Sequence, residues 1–275
     1  MSSRFQICAQ PVGNASTAGY ACGNSRGSPS MPCLRLLAIL LLSCSVLSAR
    51  AQTLIAIDNA NPPFMYQQDG QPRGLYPLLL QAVFARLGEP LAIQAMPWKR
   101  ALLRGAAGEL GIGGIYKNAE RLRVFDYSAP IFEERLLLYV QRERAFDFRG
   151  IADLHGKRVG VIRGWSYTEE FDQAARTGQI ETQEGSADEA NLRKLASGRL
   201  DAVIAIELAG QRLLALPGLE QLVALPRPLS INPTYLVFAK QAGQGALLQR
   251  FDQALKDMRR DGSLQRLIEQ EIATP

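Results

Sequence analysis

The segment Gly113-Gly114-Ile115-Tyr116-Lys117-Asn118-Ala119-Glu120-Arg121-Leu122-Arg123-Val124-Phe125-Asp126-Tyr127-Ser128-Ala129-Pro130 decides how the chain is read. The apolar run from Leu110 to Ile115 reads as a strand. It opens into a glycine-flanked polar turn carrying Arg121, and an aromatic Asp-Tyr-Ser-Ala-Pro stretch follows. An arginine just past a strand end stands where open α/β sheets bind ligands, in the crevice outside the carboxyl ends of the strands. Its planar guanidinium fork matches a carboxylate through two parallel hydrogen bonds. Taken alone, the segment also reads as a surface helix start with a solvated arginine; the flanking sequence favours the crevice.

Strand-like and helix-like patterns alternate on either side. Thr53 to Ile57 predicts a strand, and Gly74 to Leu87 a helix with Leu75, Leu78, Leu79, Val83 and Leu87 on one face. Leu91 to Ala95 predicts a second strand and Trp98 to Ala107 a second helix. This alternation predicts a parallel sheet with helices on its faces. The pattern then restarts with a strand over Arg135 to Val140, a charged break over Gln141 to Arg144, and a strand over Lys157 to Ile162. Ser166 and Glu169, then Ser186 and Glu189, have capping-box spacing and predict two helix starts, the second helix running to Ser197. Asp201 to Ile206 is a buried strand, the proline-rich Ala215 to Asn232 a strand framed by loops, and Tyr235 to Ala239 another strand. Helices over Leu247 to Met258 and Ser263 to Ile272 end the chain. Two α/β units thus lie in tandem, joined near Tyr139 to Arg144, with extended segments crossing near Leu229 to Tyr235.

The N-terminus is of a different kind. Arg35, the apolar run Leu36 to Leu47 and the small-x-small site Ala49-Arg50-Ala51 have the layout of a secretory signal peptide over 31–51. The run is shorter than the roughly 20 residues that a membrane span needs. Leu-Leu-Ser-Cys44 weakly resembles a lipoprotein cleavage box, a minor alternative. Residues 1–30, rich in Ser, Gly, Asn and Pro, are expected to be a disordered extension or to precede the true start at Met31. All four cysteines (Cys8, Cys22, Cys33, Cys44) precede Ala51, so the exported product has neither disulfide nor thiol chemistry. The formal charge of +5 is also largely a property of the leader. Arg4, Arg26, Arg35 and Arg50 lie there with no acidic residue, and the remainder is nearly neutral. No nucleic-acid partner is expected.

The chain also lacks several chemistries. His155 is the sole histidine and falls in a predicted exposed turn, so His/Cys zinc sites and cysteine proteases are excluded. There is no Gly-x-Ser-x-Gly elbow and no phosphate loop ending in Gly-Lys-Ser/Thr. Neither a metal nor a cofactor is expected, and no catalytic residue is assigned.

Over nearly all of 53–272 the chain resembles the periplasmic solute-binding proteins of ABC transporters, polar-amino-acid type. The landmarks come in that family's order: Asp58 followed by Pro62-Pro63-Phe64, the Gly74 helix, Trp98, Gly114 to Arg121, Phe125 to Pro130, Asp153 to Val161, Arg163-Gly164, Gly198 to Val203, and Asp261 to Leu264. The resemblance implies the type II periplasmic binding fold, two α/β lobes joined by a two-strand hinge with the ligand cleft between them. Lobe one would be 52–140 plus 233–275, and lobe two 141–232. It implies a periplasmic location, a monomer, a small-molecule solute and an inner-membrane ABC permease or a membrane sensor as partner.

The same resemblance gives Arg121 the α-carboxylate of an amino acid, with Gly114 and Tyr116 in the adjacent turn. Tyr116 stands where a Ser or Thr hydroxyl is usual. It implies a helix start at Ser166 facing the carboxylate from the second lobe and Trp98 as an aromatic wall. Ser166 also reads as a plain N-cap and Trp98 as a core residue. Phe64 either flanks the ligand or only packs. Asp58 either meets a cationic group or caps the strand end. Two departures stand out. The family's α-amino anchor, an Asp five positions after the one matching Asp201, is here Ile206, with Glu207 next to it. Glu207 takes over that role, or the ligand lacks an amino group. The usual acidic residues of the Gly74 helix and before the third strand are also missing. Lys99 and Arg100 lie beside Trp98 and favour a more acidic solute if either points inward. The expected function is an extracytoplasmic receptor that captures a small carboxylate-bearing, amino-acid-like solute by hinge closure. The alternatives are a periplasmic dehydratase of the cyclohexadienyl type, with Glu207 as general acid or base, and a sensor-linked binding protein.

Overall fold

The structure is a computed structural model that describes residues 52–273. The leader, its cleavage site and all four cysteines lie outside the described residues. In chain order the elements are β1 (Thr53–Asp58), β2 (Ala60–Asn61), β3 (Met65–Gln68), β4 (Gln71–Arg73), α1 (Leu75–Leu87), β5 (Leu91–Met96), α2 (Trp98–Ala106), β6 (Gly111–Ile115), α3 (Ala119–Val124), β7 (Phe125–Tyr127) and β8 (Phe132–Gln141). They continue with β9 (Arg158–Ile162), α4 (Glu169–Arg176), β10 (Glu181–Gly185), α5 (Asp188–Ala196), β11 (Ala202–Ile206), α6 (Glu207–Leu214), β12 (Leu222–Ala224), β13 (Ser230–Ala239), α7 (Gly245–Arg260) and α8 (Ser263–Ala273).

One curled sheet runs through the molecule in the order β10-β9-β11-β8-β13-β6-β1-β5. Its two ends are parallel, β6-β1-β5 on one side and β10-β9-β11 on the other. The middle is not. β8 and β13 pair antiparallel over Phe132–Leu136 and Ser230–Thr234. β8 then continues antiparallel beside β11, and β13 beside β6 and β7. The sheet is therefore mixed rather than parallel, and each central strand spans two neighbourhoods. Both are ten residues long, longer than the Arg135 to Val140 and Tyr235 to Ala239 strands predicted from hydrophobicity. Their half-exposed ends are polar (Glu133, Arg135, Asn232), so an apolar run marks only the buried half. Two α/β lobes result, linked by these strands.

Burial explains the helix packing. On α1 the buried face is Leu75, Tyr76, Leu79, Leu80, Val83 and Phe84. It is rotated from the predicted stripe, since Leu78 and Leu87 are only half-buried. α1 is pinched between the sheet and helices α7 and α8, and Phe84 meets the Phe251 ring at 6.0 Å. Each such fully buried side chain contributes about 1.5–3 kcal/mol. The second lobe adds a separate cluster of Leu137, Tyr139, Leu192, Leu195, Val203 and Leu222 beneath β11.

Candidate functional site between the lobes

β6 has glycine where helix α1 presses hardest on the sheet. A Cβ on Gly113 would stand 2.7 Å from Leu80 Cδ1, and one on Gly114 would stand 2.8 Å from the Tyr76 ring. Gly114 also has φ +77°, the left-handed region that glycine enters without steric cost. The chain leaves the sheet there and turns through Tyr116 to Asn118. The Asn118 side-chain oxygen accepts the Arg121 backbone N–H at 2.7 Å and caps α3. This short helix brings Arg121 back over the strand end.

Arg121 is 8 % exposed. Its Nη1 donates to the Tyr116 carbonyl at 3.1 Å, and its Nη2 donates across the cleft to the Gly164 carbonyl at 3.2 Å. Among the described residues it makes no ion pair. Burial lowers its pKa from the usual arginine value, opposed by the charges of Tyr127, Asp172 and Glu120. A second cross-lobe contact runs from Trp165 Nε1 to Asp58 Oδ2 at 3.3 Å. The lobes are therefore closed on each other.

Met65, Trp98, Gly114, Tyr116, Arg121, Trp165 and Ser166 line a cavity between them with about 10 Å³ of room for water centres, enough for roughly one water. Outside it, a groove of about 580 Å³ is lined by Arg121, Trp165 and Ser166 again, together with Lys99, Leu102, Val124 and Phe125. Five residues singled out in the sequence thus surround one cavity: Trp98, Gly114, Tyr116, Arg121 and Ser166. Trp98 is 5 % exposed, and its buried indole N–H has no hydrogen-bond partner among the described residues.

The others are placed differently. Asp58 ends β1 beside the cavity, tied to Trp165, and burial raises its pKa. Phe64 is buried and packs on the Tyr76 and Phe132 rings at 6.2 and 6.0 Å; it does not line the cavity. Glu207 starts α6, and its carboxylate pairs with Arg135 at 2.9 Å, part-exposed and apart from the cavity lining. Lys99 and Arg100 are exposed, Lys99 on the rim of the outer groove.

Both predicted capping boxes are corrected. Thr168, not Ser166, caps α4, accepting the Phe171 N–H at 3.0 Å. Ser166 Oγ donates instead to Asp172. The turn at Gly164, with φ +79°, delays the helix by two residues. Ser186 likewise caps nothing: α5 starts after Ala187, without a side-chain cap, and Asp188 enters its first turn.

Four further residues carried no recognisable pattern. Met65 and Trp165 line it, Trp165 edge-on to Tyr116 at 6.1 Å. Glu134, on β8, is 2 % exposed and accepts hydrogen bonds from both the Tyr76 and Tyr116 hydroxyls. The Tyr116 hydroxyl is thus turned to Glu134. Burial pushes the Glu134 pKa up to about 7 against those donors, and the Asp188 charge pushes the same way. Asp188 is 7 % exposed, its Oδ1 lacks a partner, and burial followed by the Asp58 charge raises it to about 7. Glu134 and Asp188 look like surface acids in sequence, because only the fold reveals their burial. Among the described residues, no group of three or more His, Cys, Asp or Glu side chains is arranged to hold a metal ion. Nor is any helix among them long and apolar enough to cross a membrane.

Two α/β lobes closing over a small cavity through a paired-strand link form a periplasmic-type binding protein. The sequence model of the bacterial extracellular solute-binding proteins, family 3, matches residues 54–273, and the chain belongs to that family. It is an extracytoplasmic solute-binding protein. The L-cystine-binding protein TcyJ of Escherichia coli (strain K12) is 26 % identical over 223 residues, covering 80 % of this chain and 82 % of that protein. A histidine kinase sensor domain with similarity to periplasmic binding proteins matches with a TM-score of 0.72 at 20 % identity, over 82 % of this chain and 97 % of that one. An ancestral arginine-binding protein bound to arginine matches with a TM-score of 0.70 at 22 % identity, over 80 % and 98 %. At these identities the solved structures speak for the fold alone.

Proposed function

We propose that the protein captures an amino-acid-like carboxylate between its lobes, with Arg121 as the anchor, and delivers it to an ABC importer in the inner membrane. One observation carries the reading. Arg121 is a buried guanidinium on the cleft wall with no carboxylate partner among the described residues; two backbone carbonyls satisfy part of its fork. A buried charge without a counter-ion is costly, and a solute carboxylate supplies the missing partner with bidentate geometry. The Trp98 indole N–H is a free donor on the same wall and gives the solute a second hydrogen bond. Ser166 and Trp165 approach from the other lobe, so closure buries the ion pair where charge interactions are stronger than in water.

Lobe one then comprises 52–140 plus 233–275 and lobe two 141–232, with residues 31–51 as the signal peptide that sends the product to the periplasm. The protein acts as a receptor rather than an enzyme. The carboxylate of Glu207, on which a dehydratase reading relies, is engaged by Arg135 outside the cavity.

The test is calorimetric titration of the wild type and Arg121→Ala with L-amino acids, including L-cystine and L-arginine. Wild type binds at least one, and Arg121→Ala loses that binding by about a hundredfold or more while still melting cooperatively. Unchanged affinity in the variant removes Arg121 from the site.

A further inference from the structure

The inner cavity and the outer groove share a wall, for Arg121, Trp165 and Ser166 line both. On the inner side there are about 10 Å³ for water centres, the space of one carboxylate oxygen and not of an amino-acid side chain. On the outer side there are about 580 Å³, within the range of sites that hold whole small molecules. The groove is apolar along both lobes, with Leu102 and Val124 on one and Val161, Phe171 and Ala175 on the other. Among the described residues four large apolar side chains are exposed, Leu103, Leu122, Val124 and Ile231. Two of them, Leu103 (66 % exposed) and Val124, line this groove. Apolar surface gathered in a concavity between lobes marks a place for a ligand. Arg163 and Arg176 on its rim are already paired, with Glu184 at 3.0 Å and Glu169 at 3.3 Å, so the groove selects chiefly by apolar contact. Trp165 is fixed at the boundary. Its indole N–H donates to Asp58 on the opposite lobe at 3.3 Å, and its ring stands edge-on to Tyr116 at 6.1 Å and tilted against Tyr167 at 6.3 Å.

We propose that the solute is longer than a small amino acid: one end sets its carboxylate on Arg121, and an apolar chain or ring extends into the outer groove. Trp165 sets that direction, because its indole holds the boundary and leaves the inner cavity no room for a side chain. The inference rests on the preceding reading for the carboxylate and goes beyond it in naming the body of the solute.

Calorimetric titration with straight-chain L-2-amino acids, from L-alanine through L-norleucine to L-2-aminodecanoate, tests this. In wild type the affinity rises about two- to fourfold with each added methylene, and L-alanine binds weakest. Val124→Asp flattens that rise. Trp165→Ala merges the two spaces and narrows the ratio of L-2-aminodecanoate to L-alanine affinity at least tenfold. Equal affinity along the series in wild type overturns the groove and leaves the Arg121 anchor standing. Silence along the whole series overturns the proposal as well, and both outcomes are read from wild type, whatever the variants do. The amino alcohol 2-aminodecan-1-ol examines the other end of the solute. If it binds as tightly as the acid, and the methylene dependence survives in Arg121→Ala, the groove is upheld and the carboxylate anchor is removed. A rise with chain length that a cooperatively melting Val124→Asp leaves intact shows apolar adhesion elsewhere and overturns the groove. An unchanged ratio in Trp165→Ala overturns the role given to Trp165.

Discussion

Tyr116 lines the cavity, yet its hydroxyl donates to Glu134 on β8. Glu134 and Asp188 keep their protons up to about pH 7, whereas carboxyls of the unfolded chain release theirs near pH 4. Between those limits the folded state binds more protons, so its stability rises as pH falls from 8 towards 5. Below roughly pH 4 the trend reverses, because Asp201, held low chiefly by hydrogen bonding to Arg158, and Asp153, held low by backbone N–H groups, lose their contributions. The expected ligand-free melting curve peaks on the acid side of neutrality, and Glu134→Gln flattens its slope between pH 5 and 8. Calorimetric scans across that range check both; a melting temperature that climbs steadily from pH 5 to 8 refutes the assignment. Arg121 was singled out by a local pattern, an arginine after a strand end, and Trp98 by the family resemblance; both line the cavity. Glu134 and Asp188 were not, because burial of an acid depends on strands and helices far away in the chain.

The turn after β6 and the start of α4 frame the cleft from either lobe. The first depends on Gly114: a side chain there faces both a left-handed backbone and the Tyr76 ring. Gly114→Ala should cost about 1–3 kcal/mol and weaken solute binding together with stability. Equal melting temperatures for wild type and variant would contradict this. The second start is set by Thr168. Thr168→Ala should destabilise by about 1 kcal/mol, whereas Ser166→Ala should alter binding more than melting, since Ser166 caps no helix. Denaturant titration of the two variants distinguishes them. The elements themselves were largely readable, from apolar runs for strands and 3.6-residue spacing for helices. The capping boxes misled because Ser-x-x-Glu spacing occurs at Ser166 and Ser186 while the backbone at Gly164 and Ala187 decides where each helix begins. The face of α1 also turned from its prediction, since α7 and α8 cover a side that the leucine stripe alone does not mark.

At the scale of the molecule, cross-lobe hydrogen bonds from Arg121 to Gly164, from Trp165 to Asp58 and from Arg212 to the Ile272 carbonyl hold the lobes together, and the first two flank a cavity too small for an amino acid. Solute entry therefore requires opening at the strands β8 and β13. Trp165→Phe removes one of these bonds and should shift the ligand-free protein towards an expanded form. Small-angle scattering is the check: an unchanged radius of gyration for the variant, with and without solute, would show that this bond does not govern closure. The tandem α/β arrangement was visible in the order of patterns, and so was the approximate crossing of the chain. The antiparallel pairing of β8 with β13 was not, because pairing between strands a hundred residues apart leaves no local trace. That pairing has a consequence for how the chain is made. β6 is flanked on one side by β1, close by in sequence, but on the other by β13, which begins at Ser230. Until synthesis has passed that point, the edge Gly111 to Ile115 stands bare while everything from β9 to β11 is already present to pair locally. The intervening half therefore has the means to mature first, and a nascent or truncated chain ending before β13 exposes a flat apolar edge of the kind that seeds aggregation.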